Sequence, residues 1–345
     1  MDRLQVLRKS PKLAPMLGEL INGNGAKARK MLKAAQSTDL SEVEKQYCLD
    51  LAKVICEKQG ESIQIENDFV KEILSVYQAY WVEMYTSKTS LEAGEGRLRQ
   101  DLNRLVMRFK IAKRSFRSLD KLEQCLAKAV KKRGYYCSFS LIRPFRDVLV
   151  WKEEKTKPFS VLLPEQGRVT TQVKTLDKFI SLGWMHFVTQ GVYYVGGWAM
   201  KDHLVRIKPA FRNERNEDFR CSFLTHETQH FVDYKSFPKL LQADLEYRAK
   251  LAELSSVRKG KDVLMARLFS QGVRGSKNPH PLSNYVVVKH VAEAVKVKNV
   301  TGFWQTVTPK EINIVASELL VKHSEELRKL GAKSCKGVLG SGVFK

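Results

Sequence analysis

A chain of 345 residues and 39.5 kDa has room for two domains or one large one, and it excludes a disulfide-stapled miniprotein. Hydrophobic residues at 43%, charged residues at 28% and aromatic residues at 9% describe a folded globular protein and exclude a disordered chain. Sixty Lys and Arg against 37 Asp and Glu give a formal net charge of +23, which raises nucleic acid, an anionic surface or an acidic partner as candidates. The excess is spread along the chain rather than gathered in one arm.

The six cysteines, Cys48, Cys56, Cys125, Cys137, Cys221 and Cys335, form no CxxC pair. Free thiols in a reducing compartment are the simplest reading, so a cytoplasmic location is expected, or a secreted or periplasmic one if a signal peptide has been removed. No stretch approaches the roughly 18 consecutive apolar residues of a membrane span.

From Ala26 to about Val130 the pattern predicts amphipathic helices: KARKMLKAA, SEVEKQYCLDLAKVICEKQ with Ser41 as N-cap, NDFVKEILSVYQAYWVEMY, GRLRQDLNRLVMRFKIAKR and LDKLEQCLAKAVKKRG. Gly60, Thr89-Ser90, Gly94 and Ser118 punctuate them, which suggests a bundle or short solenoid. The densest basic stretch, Arg104 to Arg117, reads as a solvated helix face or an anion-binding surface. After Gly134 the β-branched and aromatic runs YYCSFSLI, DVLVW, FSVLLP and RVTTQVKT predict strands. LDKFISLGWMHFVTQG then reads as a helix, and YYVGGWAM and HLVRIKP as two more strands. Helices follow to about Gly331, and the tail GVLGSGVF is Gly-rich and expected to be loose. The order implies an α+β fold: a helical domain over residues 1–130 and a second domain over residues 131–345.

One motif carries chemistry. FLTHETQHFVDY contains His226-Glu227-Thr228-Gln229-His230, an HExxH on a predicted helix. Histidines at i and i+4 share a face and can hold one Zn²⁺ ion, with Glu227 placed to take a proton from a water that the ion activates. A third, acidic ligand should follow on another helix, and LLQADLEYRAKLAEL offers Glu246, with Glu253 on the same face as the runner-up and Asp244, Asp233 or a distant histidine also open. Asp233 suits a role orienting an imidazole better than ligation. Arg248 could brace Glu246 or Asp233, or simply lie exposed.

These residues resemble the glutamate-ligand zinc metallopeptidases, the gluzincins. The stretch HETQHFVDYKSFPKLLQADLEYRAKLAEL, with GGWA upstream and NPHPLSNY downstream, looks more closely like a group of uncharacterised bacterial zinc peptidases. The likeness covers roughly Gly134 to Val291. It implies a zincin-like metallopeptidase domain holding one Zn²⁺ per chain by His226, His230 and Glu246, with Glu227 as general base. It departs from the thermolysin-like pattern at Gln242 and in a shorter spacing between the motifs. In a zincin a strand lines the cleft so that a peptide can pair with it; here that is the segment of Gly196, Gly197 and Trp198. Trp198 could line a subsite or fill the core beside a strand bend. A hydrolase of this type also needs a donor for the developing oxyanion, for which NPHPLSNY offers His280 and Tyr285, and His290 lies farther on. His280 could equally be a loop histidine without function and Tyr285 a packing residue, while His186, His203 and His323 read as structural.

The leading expectation is therefore a zinc metallopeptidase acting on a peptide or protein substrate, with acidic peptides suggested by the charge. Other classes remain: a nucleic-acid or anionic-surface binding protein, or a zinc hydrolase of non-peptide amides or esters. The first predicts binding that weakens steeply with salt.

Overall fold

In the computed structural model, residues 4, 6–7, 10–35, 39–57, 60, 62–142, 144–297 and 299–339 are described. The end of the Gly-rich tail, from Gly340 on, lies outside them. The fold is α+β. The chain divides into two compact units: residues 1–153 with 176–195, and residues 154–175 with 196–345. The change from helix to strand near residue 131, read above as a domain boundary, falls inside the first of these.

In the first unit come helices α1 (Ala14–Ile21), α2 (Gly25–Ala35), α3 (Glu42–Ile55), α4 (Asp68–Thr86), α5 (Leu91–Arg108) and α6 (Leu119–Lys131). Their starts are chemical. Ser41 closes a capping box with Glu44, and Asn67, Ser90 and Ser118 each accept a backbone N–H from the first turn that follows. Along α4, Phe69, Ile73, Tyr77, Trp81 and Tyr85 recur at helical spacing and are buried. Their polar tips find partners: Tyr77 donates to Glu123 at 2.7 Å and Trp81 to the Arg146 carbonyl at 2.9 Å. Gly25 is forced, because a Cβ there would meet the Tyr85 carbonyl oxygen at 2.2 Å. The basic stretch is helical only to Arg108, since Lys110 takes a left-handed φ of 55°. Arg104 and Arg108 are ion-paired with Asp101 and Glu72.

Strands β1 (Tyr136–Ile142), β2 (Phe145–Leu163) and β3 (Gly167–Leu182) follow, then the short helix α7 (Trp184–Val188), β4 (Gly197–Ala199) and β5 (Leu204–Ile207). The sheet order is β1-β2-β3-β5-β4. β1 pairs antiparallel with β2, from Tyr136 opposite Trp151 to Ile142 opposite Phe145. Two expectations change here. DVLVW and FSVLLP form one strand of 19 residues that passes through Pro158, a position beyond the reach of β1, so β2 has a neighbour on one side only. LDKFISL is strand, with helix confined to α7. Ser181 is bonded to the Val148 carbonyl across the sheet, and Gly183, at φ 87°, ends the strand before a helical pattern can begin. β2 and β3 run through both units.

The second unit is built round one helix. After β5 come a π-helical segment (Asp218–Thr225) and helices α8 (His226–Ser236), α9 (Gln242–Ser256), α10 (Lys261–Gln271), α11 (Pro279–Ala294) and α12 (Pro309–Lys329). α9 packs against α8, α11 and α12. Its apolar side, Tyr247, Leu251 and Leu254, meets Val287, Val291, Ile312, Ala316 and Leu320. Truncating one such fully buried leucine costs about 2–5 kcal/mol. Among the described residues no helix is long and apolar enough to cross a membrane, and the six cysteines are free.

Candidate metal centre

The π-helical segment seats Phe219, Phe223 and Leu224 in the core and runs directly into α8. His226 and His230 then stand one above the other, ring centroids 4.7 Å apart and edge to face, with their Nε2 atoms separated by 3.1 Å. α9 lies across α8 and brings in Glu246, whose Oε1 is 3.4 Å from His230 Nε2 and whose Oε2 is 3.7 Å from His226 Nε2. Among the described residues this is the one group that could hold a metal ion. Donor atoms bound to one ion at about 2.0–2.1 Å in tetrahedral geometry stand about 3.3 Å apart. The two imidazole nitrogens stand near that distance, and each lies about as far from its nearer Glu246 oxygen, Oε1 for His230 and Oε2 for His226.

From Asp244 to Leu254 every residue of α9 is buried, although Asp244, Glu246, Arg248, Lys250 and Glu253 are charged. A buried charge must be paired, and each of these is. Lys250 Nζ lies 2.6 Å from Glu246 Oε2, and His280 Nδ1 lies 3.0 Å from the same oxygen. Glu253 Oε1 is 2.6 Å from His226 Nδ1, and Arg267 clamps the other Glu253 oxygen at 3.2 Å while reaching Ser222 at 3.1 Å. Arg248 donates to Asp233 at 2.9 Å and to Ser324 at 2.7 Å. Asp244 accepts the Val338 N–H at 2.7 Å, with His323 Nε2 at 3.2 Å.

These contacts set the ionisation of the site. Burial pushes the Glu246 carboxyl up, but Lys250, His230 and His280 outweigh it and hold the group well below the usual carboxylate range. Burial likewise opposes the charge on Glu253, and His226, Arg267 and Lys250 bring its pKa below normal. Burial lowers His226, yet the Glu253 carboxylate bonded to it, helped by Glu246 and Glu227, leaves it raised.

The structure brings His226, His230, Glu246 and His280 together, and Glu227, partly exposed, is near enough for its charge to act on His226. The His280 side chain is 66% exposed. Tyr285 lies farther along α11, where its backbone closes on Gly272. Asp233 is fully buried and bonded to Gln229 and Arg248, so the carboxylate that orients an imidazole is Glu253. Arg248 braces Asp233 and not Glu246.

Gly196 and Gly197 are required by packing. A Cβ on Gly196 would meet the Phe211 ring at 2.8 Å, and one on Gly197 would meet Phe223 at 2.4 Å and the Val205 carbonyl oxygen at 2.5 Å. Trp198 is half-buried between them and Ala199. β4 is nonetheless an edge strand beside α8. Gly197 pairs with Arg206 and Ala199 with Leu204, while Gly196 and Met200 make the flanking bonds to Ile207 and His203. By antiparallel alternation, the backbone N–H and C=O groups of Gly197 and Ala199 point away from β5, along the open edge.

Three residues of the site escape sequence reasoning: Lys250, Arg267, and Glu253 in its orienting role. The available signal was the stripe Glu246, Lys250, Glu253 at i, i+4 and i+7, a run of alternating charge on one helix face. No family model, no curated protein and no solved structure matches the chain.

Proposed function

We propose that the chain is a zinc-dependent metallopeptidase and that its second unit is a zincin-like catalytic domain. The observation that carries the reading is the trio His226, His230 and Glu246, with donor atoms 3.1–3.7 Å apart, and a Glu227 carboxylate near enough for its charge to act on His226. Two imidazoles and one carboxylate make a three-protein-ligand set that suits Zn²⁺ and leaves a position open for chemistry. When bound, the ion supplies Lewis acidity that polarises a water and the scissile carbonyl.

The chain's own residues do the rest. Glu253 fixes the His226 ring through Nδ1, which directs Nε2 at the ion. Lys250 holds Glu246 Oε2, which leaves Oε1 turned toward His230. Glu227 takes the proton of the attacking water on its carboxylate and delivers it to the leaving amine. His280, exposed beside Glu246, is the donor we assign to the acyl oxygen. The outward backbone groups of Gly197 and Ala199 allow an extended peptide to add to β4 as a further strand, which favours a peptide over a small ester or amide.

The test is a comparison of wild type with Glu227→Gln on a native lysate, with metal content measured in both. The expected result is about one zinc per chain in each protein and new peptide termini only with wild type. Wild-type protein that stays zinc-free after metal-replete expression, or equal product profiles from the two proteins, would defeat the proposal.

A further inference from the structure

A histidine that binds a metal through one ring nitrogen normally donates the other N–H to a fixed acceptor, and that bond sets the ring's orientation. His226 follows this rule through Glu253 at 2.6 Å. His230 does not: its Nδ1 is buried and has no hydrogen-bond partner among the described residues. The nearest acid along α8, Asp233, is committed to Gln229 at 3.0 Å and to Arg248 at 2.9 Å. A histidine ring turns in a broad torsional well about its second side-chain bond, so something other than a hydrogen bond must hold this one.

One turn farther along the helix, Tyr234 lies nearly parallel to the His230 ring, with an interplanar angle of 12° and centroids 6.1 Å apart. His226 meets the same imidazole edge to face, at 82° with centroids 4.7 Å apart. Rotating the His230 ring out of its plane would drive its edge toward the phenol. Tyr234 is 37% exposed, so its ring is not a core filler.

We propose that Tyr234 is the positioning residue for His230, its flat ring holding this imidazole as the Glu253 carboxylate holds His226. The assignment rests on the metal-site reading given above.

The experiment is competition for Zn²⁺ against a chromogenic chelator, using full-length wild type, Tyr234→Phe, Tyr234→Leu and Tyr234→Ala. It is accompanied by absorption spectra of the Co²⁺-loaded proteins and melting of the metal-free ones. Tyr234→Phe should bind within about twofold of wild type, and Tyr234→Ala should bind about 10–100-fold more weakly, the range for lost support of a ligating histidine. Tyr234→Leu keeps apolar bulk without a flat face, so it too should bind at least about tenfold more weakly, and it replaces the alanine variant if that one fails to fold. The Co²⁺ bands should change in the leucine and alanine proteins and not in the phenylalanine protein, with metal-free melting unaltered. Wild-type affinity in both the leucine and alanine variants, or a loss in Tyr234→Phe as large as in Tyr234→Ala, overturns the assignment. A wild type that takes up no metal at all removes the metal site itself, so the two failures are distinguishable.

Discussion

Removing the Glu246 carboxylate should destabilise the protein even when no metal is bound. Lys250 Nζ lies 2.6 Å from Glu246 Oε2, and both side chains are only 7% exposed. Glu246→Ala leaves that ammonium buried without its main partner, a change that costs about 3–5 kcal/mol when one member of a buried pair is lost. The Glu253 carboxylate, whose own charge Lys250 helps to stabilise, offsets part of this and places the expectation near the lower figure. At about 2–4 °C per kcal/mol for a unit of this size, the melting temperature should fall by roughly 6–12 °C. The assay is urea unfolding followed by circular dichroism in excess chelator, for wild type, Glu246→Ala, Lys250→Met and the double variant. Replacing both members by apolar groups is often neutral, so the double variant should recover to within about 1 kcal/mol of wild type. A single variant as stable as wild type, or a double variant no better than Glu246→Ala, would refute the reasoning.

Glu253→Gln keeps an acceptor for His226 Nδ1 but loses its charge and the Arg267 clamp, so Zn²⁺ affinity should fall by about tenfold in chelator competition; unchanged affinity would contradict the orienting role. In the first unit, burial raises Glu123 to about 7 from 4.5 despite Tyr77 and Arg146. A carboxyl raised in the folded state contributes stability below its unfolded pKa and loses it as pH rises through the folded value. Glu123→Gln cannot titrate and should gain about 3 kcal/mol on wild type between pH 4 and pH 8 in urea titrations. A pH-independent difference would count against it. Gly197→Ala should cost about 1–3 kcal/mol in the same assay, because its methyl group meets Phe223 and the Val205 carbonyl oxygen; a neutral substitution would show that β4 is looser than described.

Much of the fold is local chemistry and could be read from residues. Ser41, Ser90 and Ser118 mark helix starts because a hydroxyl accepts an orphan N–H, and no distant partner is needed. His226 and His230 fall together by helix periodicity alone, and Glu246 by the return of the next helix. What escaped depends on tertiary partners. LDKFISL has helical spacing, but the Val148 carbonyl across the sheet and Gly183 after it make it strand. Asp233 lies one turn from His230 and Glu253 two turns past Glu246 on the next helix, and only Arg248 arriving from α9 shows which carboxylate is already taken. Five residues of α9 are charged, yet the helix is buried from Asp244 to Leu254. Its burial on all sides is paid for by partners on α8, α10, α11, α12 and the loops beyond, none of which a window of fifteen residues contains.

The path of β2 and β3 through both units has a consequence for synthesis. Residues 154–175 belong to the second unit but emerge before residues 176–195, which complete the first. At about 5–20 residues per second, the first unit waits roughly 2–8 s after residue 153 for its last segment, while a stretch of the other unit already hangs from the ribosome. Neither unit can finish folding before the other has begun, and a cut at any point from 154 to 195 breaks both. Until residues 176–195 arrive, the apolar faces of the helices already made lack their last covering segment, so that interval is when this chain is most open to association with others.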